Sequence, residues 1–231
     1  MMNKILTMVA AALTFFPLQV KSQTEMELTQ RQQAIVVMAA FEAQGKIEEL
    51  KTILNEGFEA GLTISEAKEV LSQLYAYTGF PRSLNALGAL QQVIRERAEA
   101  GLKTEEGREA YPLPEGYDAL AAGTEIQARL VGQAFTYDFA PQTDYYLKAH
   151  LFGDIFARNN LSFAERELAT IGAISVLPGC EAQLRSHIGG SRNLGVSDAQ
   201  LHDIPAVLRG KVGEPEAARC EQVLKEVFNN L

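Results

Sequence analysis

The chain reads as an all-α protein in which one small helical unit is used twice. Three observations predict this. Apolar residues recur at helical spacing along most of the chain, and strand-like alternation is scarce. Residues 29–97 also align without a gap on residues 163–231 when displaced by 134 positions. Ala39, Gly45, Leu50, Gly61, Leu74, Gly79, Pro81, Leu90 and Val93 then meet Ala173, Gly179, Leu184, Gly195, Leu208, Gly213, Pro215, Leu224 and Val227. All the paired glycines and the proline fall at predicted helix boundaries, where a turn demands those residues.

The elements follow in chain order. Met1–Lys4 is a short basic start, Ile5–Phe16 an apolar run ending at Pro17, and Val20-Lys21-Ser22 a small-residue cleavage pattern. Residues 1–22 therefore read as a secretory signal peptide, too short for a membrane span. The expected destination is the bacterial periplasm or the medium. The first, shortened unit covers 24–99. In it Leu50, Ile53, Leu54 and Phe58 lie on one helical face that Gly61 stops. Ala67, Val70, Leu71 and Leu74 mark a second helix over Ser65–Tyr77. Pro81 suits the first turn of a third, whose face is Leu84, Leu87, Leu90 and Ile94. Residues 100–116 read as an exposed linker, and 117–231 as the second unit. That unit opens with two further helices, one with Leu120, Ile126, Leu130 and Val131 and one with Tyr145, Leu147, Leu151, Ile155 and Phe156.

Composition narrows the function classes. A net charge of −8, from 21 basic and 29 acidic residues, argues against a nucleic-acid partner. No basic run provides a stable membrane anchor. The 2 cysteines, Cys180 and Cys220, are too far apart for a C-x-x-C pair, and no metal-binding signature is present. After export they can oxidise to each other if the distance allows.

Chemistry concentrates in CEAQLRSHIGG. Cys180, Gln183 and His187 are spaced to share one face of a helix beginning after Pro178-Gly179. A cysteine in the first helical turn feels the positive end of the helix dipole. An imidazole can act as general acid or base near neutral pH. Glu165, Glu167 and Glu181 are three carboxylates that can orient it. Arg185 reads either as a clamp for a substrate carboxylate or as an i+4 partner of Glu181. In the first unit Lys46, Glu49 and Ile53 occupy the positions of Cys180, Gln183 and His187, so that copy has no equivalent acid–base group.

These residues resemble the carboxymuconolactone decarboxylase family of the alkylhydroperoxidase D-like superfamily. The resemblance runs through Tyr117-Asp118, ARLVG (128–132), HLFGDIFARNNLSFAERELATIGAI (150–174) and EAQLRSHIGGSRNLGVSDAQL (181–201). A shortened copy appears as EAGLTISEAKEVLSQLYAYTGFPRSLNA (59–86). The resemblance implies an alkylhydroperoxidase D-like helical fold, a homo-oligomer (a trimer, or a dimer of two-repeat chains) and cofactor-free chemistry. The substrate implied is a small carboxylic acid or lactone, with His187 as the catalytic residue; beside it, from the helix reading, Glu167 is the candidate catalytic carboxylate and Arg185 and Gln183 are candidate binding residues. The family pattern is divided between the halves. The first keeps Tyr77, Gly79, Pro81 and Asn85 but has Ile53 for the histidine; the second keeps His187 but has Lys211 and Arg219 for the tyrosine and asparagine. One reading is a composite site, with Tyr77 and Asn85 facing His187; another assigns these two residues to packing and capping, on a scaffold that binds or assembles without catalysis. The peroxidase branch places cysteines at the positions of Cys180 and Gln183, so a thiol peroxidase would have Cys180 alone.

Overall fold

The computed structural model describes residues 27–229; the signal peptide expected at 1–22 lies outside them. Among the described residues there is no strand. The first unit contains α1 (Gln30–Gln44), α2 (Ile47–Glu59), α3 (Ile64–Gln73), the single turn α4 (Tyr75–Thr78) and α5 (Phe80–Glu99). The second opens with α6 (Ala119–Val131), α7 (Pro141–Tyr145) and a π-helical segment (Tyr146–Phe156). It continues through α8 (Phe163–Ser175), α9 (Glu181–Ser191), a 3-10 turn (Arg192–Leu194), α10 (Asp198–Lys211) and α11 (Glu214–Asn229).

The duplication is visible in the helix ends. Displaced by 134, the starts of α2, α3 and α5 coincide with those of α9, α10 and α11. Thr63 and Ser197, one displacement apart, are both N-caps closed by reciprocal capping boxes with Glu66 and Gln200. Gly61 and Gly195 both adopt positive φ, 89° and 101°, where a side chain would be strained. The one slip is at the leading helices. Their N-caps, Thr29 and Ser162, are 133 positions apart because the turn after α8 is longer than that after α1.

Helices α1 and α8 form the centre. Every residue from Ala34 to Ala43 is buried, as is every residue from Arg166 to Ser175. A helix apolar on all sides belongs in the middle of a bundle. The two backbones approach closely at Gly172, where an added Cβ would lie 2.3 Å from the Val36 carbonyl oxygen. One continuous core then spans both units. A buried polar network also crosses it: Arg166 donates to Glu69 (2.9 Å), Gln73 (3.0 Å) and the Arg158 carbonyl (2.7 Å). Arg166 is fully buried, so its charge must be met by these partners.

Three features differ from the sequence reading. The second helix of the first unit breaks at Leu74, leaving Tyr77 on the separate turn α4. The buried face of α5 is Ser83, Ala86, Ala89, Leu90, Val93 and Arg97, whereas Leu84 is 62% exposed. Small residues sit inward because α5 crosses α3 closely, and Ser83 donates to the Leu71 carbonyl at 2.8 Å. The helix expected around Leu151 is π-helical. Its backbone lies directly on α6: a Cβ on Gly123 would sit 1.8 Å from the Lys148 oxygen, and one on Gly153 2.1 Å from the Ala119 oxygen. Tyr117 caps this contact by donating to the Gly153 carbonyl at 2.6 Å. The linker 100–116 is exposed for most of its length yet bound to the start of α3, where the Ile64 and Ser65 amides donate to Glu105 and Glu106 carbonyls at 2.9 and 2.8 Å.

Candidate functional site

His187 projects from α9, which is seated by buried Leu184 and Ile188. Its Nδ1 is 2.8 Å from Oε2 of Glu167 on α8, a completely buried carboxylate. That contact sets Nδ1 as the protonated nitrogen facing the carboxylate and leaves Nε2 as the nitrogen available to a ligand. The other Glu167 oxygen, Oε1, has no hydrogen-bond partner. Of the three carboxylates considered, only Glu167 reaches His187. Glu165 closes the α8 capping box and pairs with Arg31, and Glu181 lies 3.5 Å from Arg219.

Tyr77 completes the group from the other unit. Its ring meets His187 edge-on, with centroids 5.8 Å apart at 75°. Burial, and then the nearby Glu167 charge, push its phenol well above the usual range, so it stays protonated. The hydroxyl lies beside Thr170 but forms no hydrogen bond of normal geometry. It is therefore a donor in reserve.

These side chains border a cavity of about 420 Å³. Its apolar lining comes from α4, α8 and α9 (Ala76, Ile174 and Ala182), from α6 (Leu130 and Val131), from the π-helical segment (Leu147, Leu151 and Phe152) and from Phe135. Helix α6 is held over α9 by backbone proximity. A Cβ on Gly190 would lie 2.6 Å from the Leu130 oxygen, which also accepts from Asn193 at 3.0 Å. An apolar chamber with a few convergent polar groups is the usual form of a small-molecule site.

The remaining candidates are dispersed. Gln183 and Ser186 line the cavity. Cys180 occupies the N-cap of α9 rather than its first turn, packs half-buried against the main core and does not line the cavity. Both thiols are free, and burial pushes that of Cys220 up to about 12. Arg185 pairs with Glu226 on α11 rather than with Glu181, and it does not line the cavity. Asn85 is exposed on α5 and borders none of the cavity. The sequence reading missed Gln127, Leu147 and Leu151 as cavity residues; only the apolar spacing of the last two hinted at a packed face.

The duplication produces a second, related cavity of about 470 Å³, bordered by Gln33, Ala34, Val37, Ile53, Glu56 and Lys211. Ile53 stands where His187 does, and Lys211, one displacement from Tyr77, reaches across from the opposite unit. Lys211 is held by Glu56 at 2.7 Å. Each cavity is thus roofed by a residue of the other half, and only one contains an imidazole.

A duplicated all-α bundle with a histidine–carboxylate pair facing an apolar chamber defines the class of this protein. Residues 9–92 and 141–226 match the sequence model of the carboxymuconolactone decarboxylase family, and the chain belongs to that family. The first matched stretch begins inside the expected signal peptide, and residues 93–140, which carry α6 and Phe135, fall outside both. A search of curated proteins finds no match.

Proposed function

We propose that the protein is a cofactor-free acid–base enzyme of the carboxymuconolactone decarboxylase type, acting on a small lactone or carboxylic acid. The observation that carries this reading is the buried Glu167–His187 pair, with Tyr77 against the imidazole. Glu167 orients the ring and stabilises the imidazolium that forms when Nε2 takes a proton. On an unsaturated lactone, Nε2 removes a proton from the carbon next to the carbonyl, leaving an enolate, and returns it at the far end of the conjugated system. On an acid, loss of carbon dioxide leaves the same delocalised carbanion, and the imidazolium delivers to carbon the proton that the acid brought. Both sequences balance without an oxidant or reductant. The protonated phenol of Tyr77 is a donor for the developing oxyanion.

His187→Ala tests the reading on a panel of lactones and acids. Turnover by the wild type that is lost in the variant is expected; turnover that survives overturns it, and a wild type inactive on the whole panel favours the non-catalytic scaffold. We also infer export to the periplasm or medium, from the N-terminal sequence pattern. N-terminal sequencing of the mature protein checks it, with Gln23 as the expected first residue; a chain that retains residues 9–22 removes it. No helix among the described residues is long and apolar enough to cross a membrane.

A further inference from the structure

Gln127 is fully buried on α6 and borders the His187 cavity, yet its Nε2 has no hydrogen-bond partner among the described residues. Its Oε1 accepts a long hydrogen bond from the Phe135 amide at 3.5 Å, the contact on which the orientation of the side-chain amide is assigned. An unpaired buried N–H is costly, and few persist in a folded protein without a ligand or water to meet them. Tyr77, which borders the same cavity, carries a second buried donor, a hydroxyl beside Thr170 that makes no hydrogen bond of normal geometry.

Charge argues in the same direction. Among the described residues, neither Lys nor Arg borders the cavity. Arg185 is paired with Glu226, Arg129 lies over Phe163, and Arg166 is bound to Glu69. An anionic ligand would enter an apolar chamber beside the Glu167 carboxylate with His187 as its sole cationic prospect, a costly placement. Gln127 and Phe135 also lie in residues 93–140, outside the stretches that match the family, where a preference particular to this chain can reside.

We propose that this cavity takes an uncharged, largely apolar lactone or ester, and that Gln127 is a binding residue whose Nε2 donates to its carbonyl oxygen, with the Tyr77 hydroxyl as the second donor. Substrates that carry an ionised carboxylate are then disfavoured. This rests on the acid–base reading of His187, which it narrows from acids and lactones to lactones.

The test is calorimetric binding of δ-decalactone and of the hydroxydecanoate formed by opening its ring, to the full chain and to Gln127→Leu. The lactone is expected to bind about tenfold tighter than the anion, and the variant to lose roughly five- to tenfold of lactone affinity with little change for the anion. Equal or tighter binding of the anion, absence of lactone binding, or unchanged lactone affinity in the variant overturns the proposal. If Gln127→Leu does not fold, Gln127→Glu keeps the shape but replaces the donor with an acceptor, and the same loss is expected. Because these readouts are of binding, their failure leaves the His187→Ala result standing, and surviving turnover in His187→Ala leaves the binding result standing.

Discussion

The ring of Tyr77, from the first unit, lies edge-on against the ring of His187, from the second, at 5.8 Å between centroids. The His187 cavity is therefore built from both halves of the duplication. Each cavity draws one bordering residue from the opposite unit, Tyr77 in one and Lys211 in the other. Lys211 over Ile53 is the same arrangement with the acid–base pair removed.

Glu167→Gln keeps a hydrogen-bond acceptor at His187 but removes the charge that stabilises the imidazolium. Turnover should fall by about 10²-fold with little change in KM, since general acid–base groups contribute on that order. Steady-state kinetics with a turned-over lactone checks it; a loss confined to KM would assign Glu167 to substrate binding instead.

Tyr77→Phe deletes one hydroxyl that makes no hydrogen bond of normal geometry among the described residues. Thermal stability should be unchanged or slightly raised, while kcat drops. A clear fall in Tm with unchanged kcat would make the hydroxyl a structural group.

Cys180→Ser should leave turnover intact, because the thiol is outside the cavity. Thiol titration should separate the two cysteines. Half-buried Cys180 reacts in the native protein at pH 8, whereas Cys220, fully buried with its thiol pushed up to about 12, reacts only on unfolding. Peroxide reduction that depends on Cys180 would instead support the peroxidase.

Glu69→Ala removes the carboxylate facing fully buried Arg166 and also Arg158, 2.9 Å from each. Breaking such a pair leaves an uncompensated buried charge, and a loss of about 3–5 kcal/mol is expected in chemical denaturation. A cost below about 1 kcal/mol would show that the network reorganises around the loss.

Glu42 is buried on α1, where desolvation outweighs the Thr78 hydroxyl bond (2.8 Å) and the Arg82 charge, and its carboxyl is pushed up to about 7. The folded state then holds this proton more tightly than the unfolded chain does. The contribution is fully present below the ordinary carboxyl range and is lost as pH rises through about 7. Glu42→Gln should raise Tm at pH 8 more than at pH 5; an equal shift at both pH values would remove the assignment.

Much of the site was legible as chemistry but not as geometry. His187 stood out because few other groups in its helix can move a proton. Choosing Glu167 over Glu165 and Glu181 required knowing which face of α8 meets α9, and the flanking Glu165 proved to be a helix cap. Gln127 gave no signal, because an isolated glutamine is informative only when burial strands its amide.

Helical spacing, paired turn glycines and the 134-residue displacement are local properties of the chain, so the sequence by itself determined the all-α class, the duplication and the absence of a histidine from the first unit. Which side chains converge was decided only by the tertiary structure. The packing of both α4 and α9 against α8 brings Tyr77 to His187, while Arg185 and Asn85 stay outside the cavity. The glycine contact of α6 with the π-helical segment supplies the apolar wall and the unpaired amide of Gln127. Those contacts join residues far apart along the chain, and no local period encodes which of them will meet.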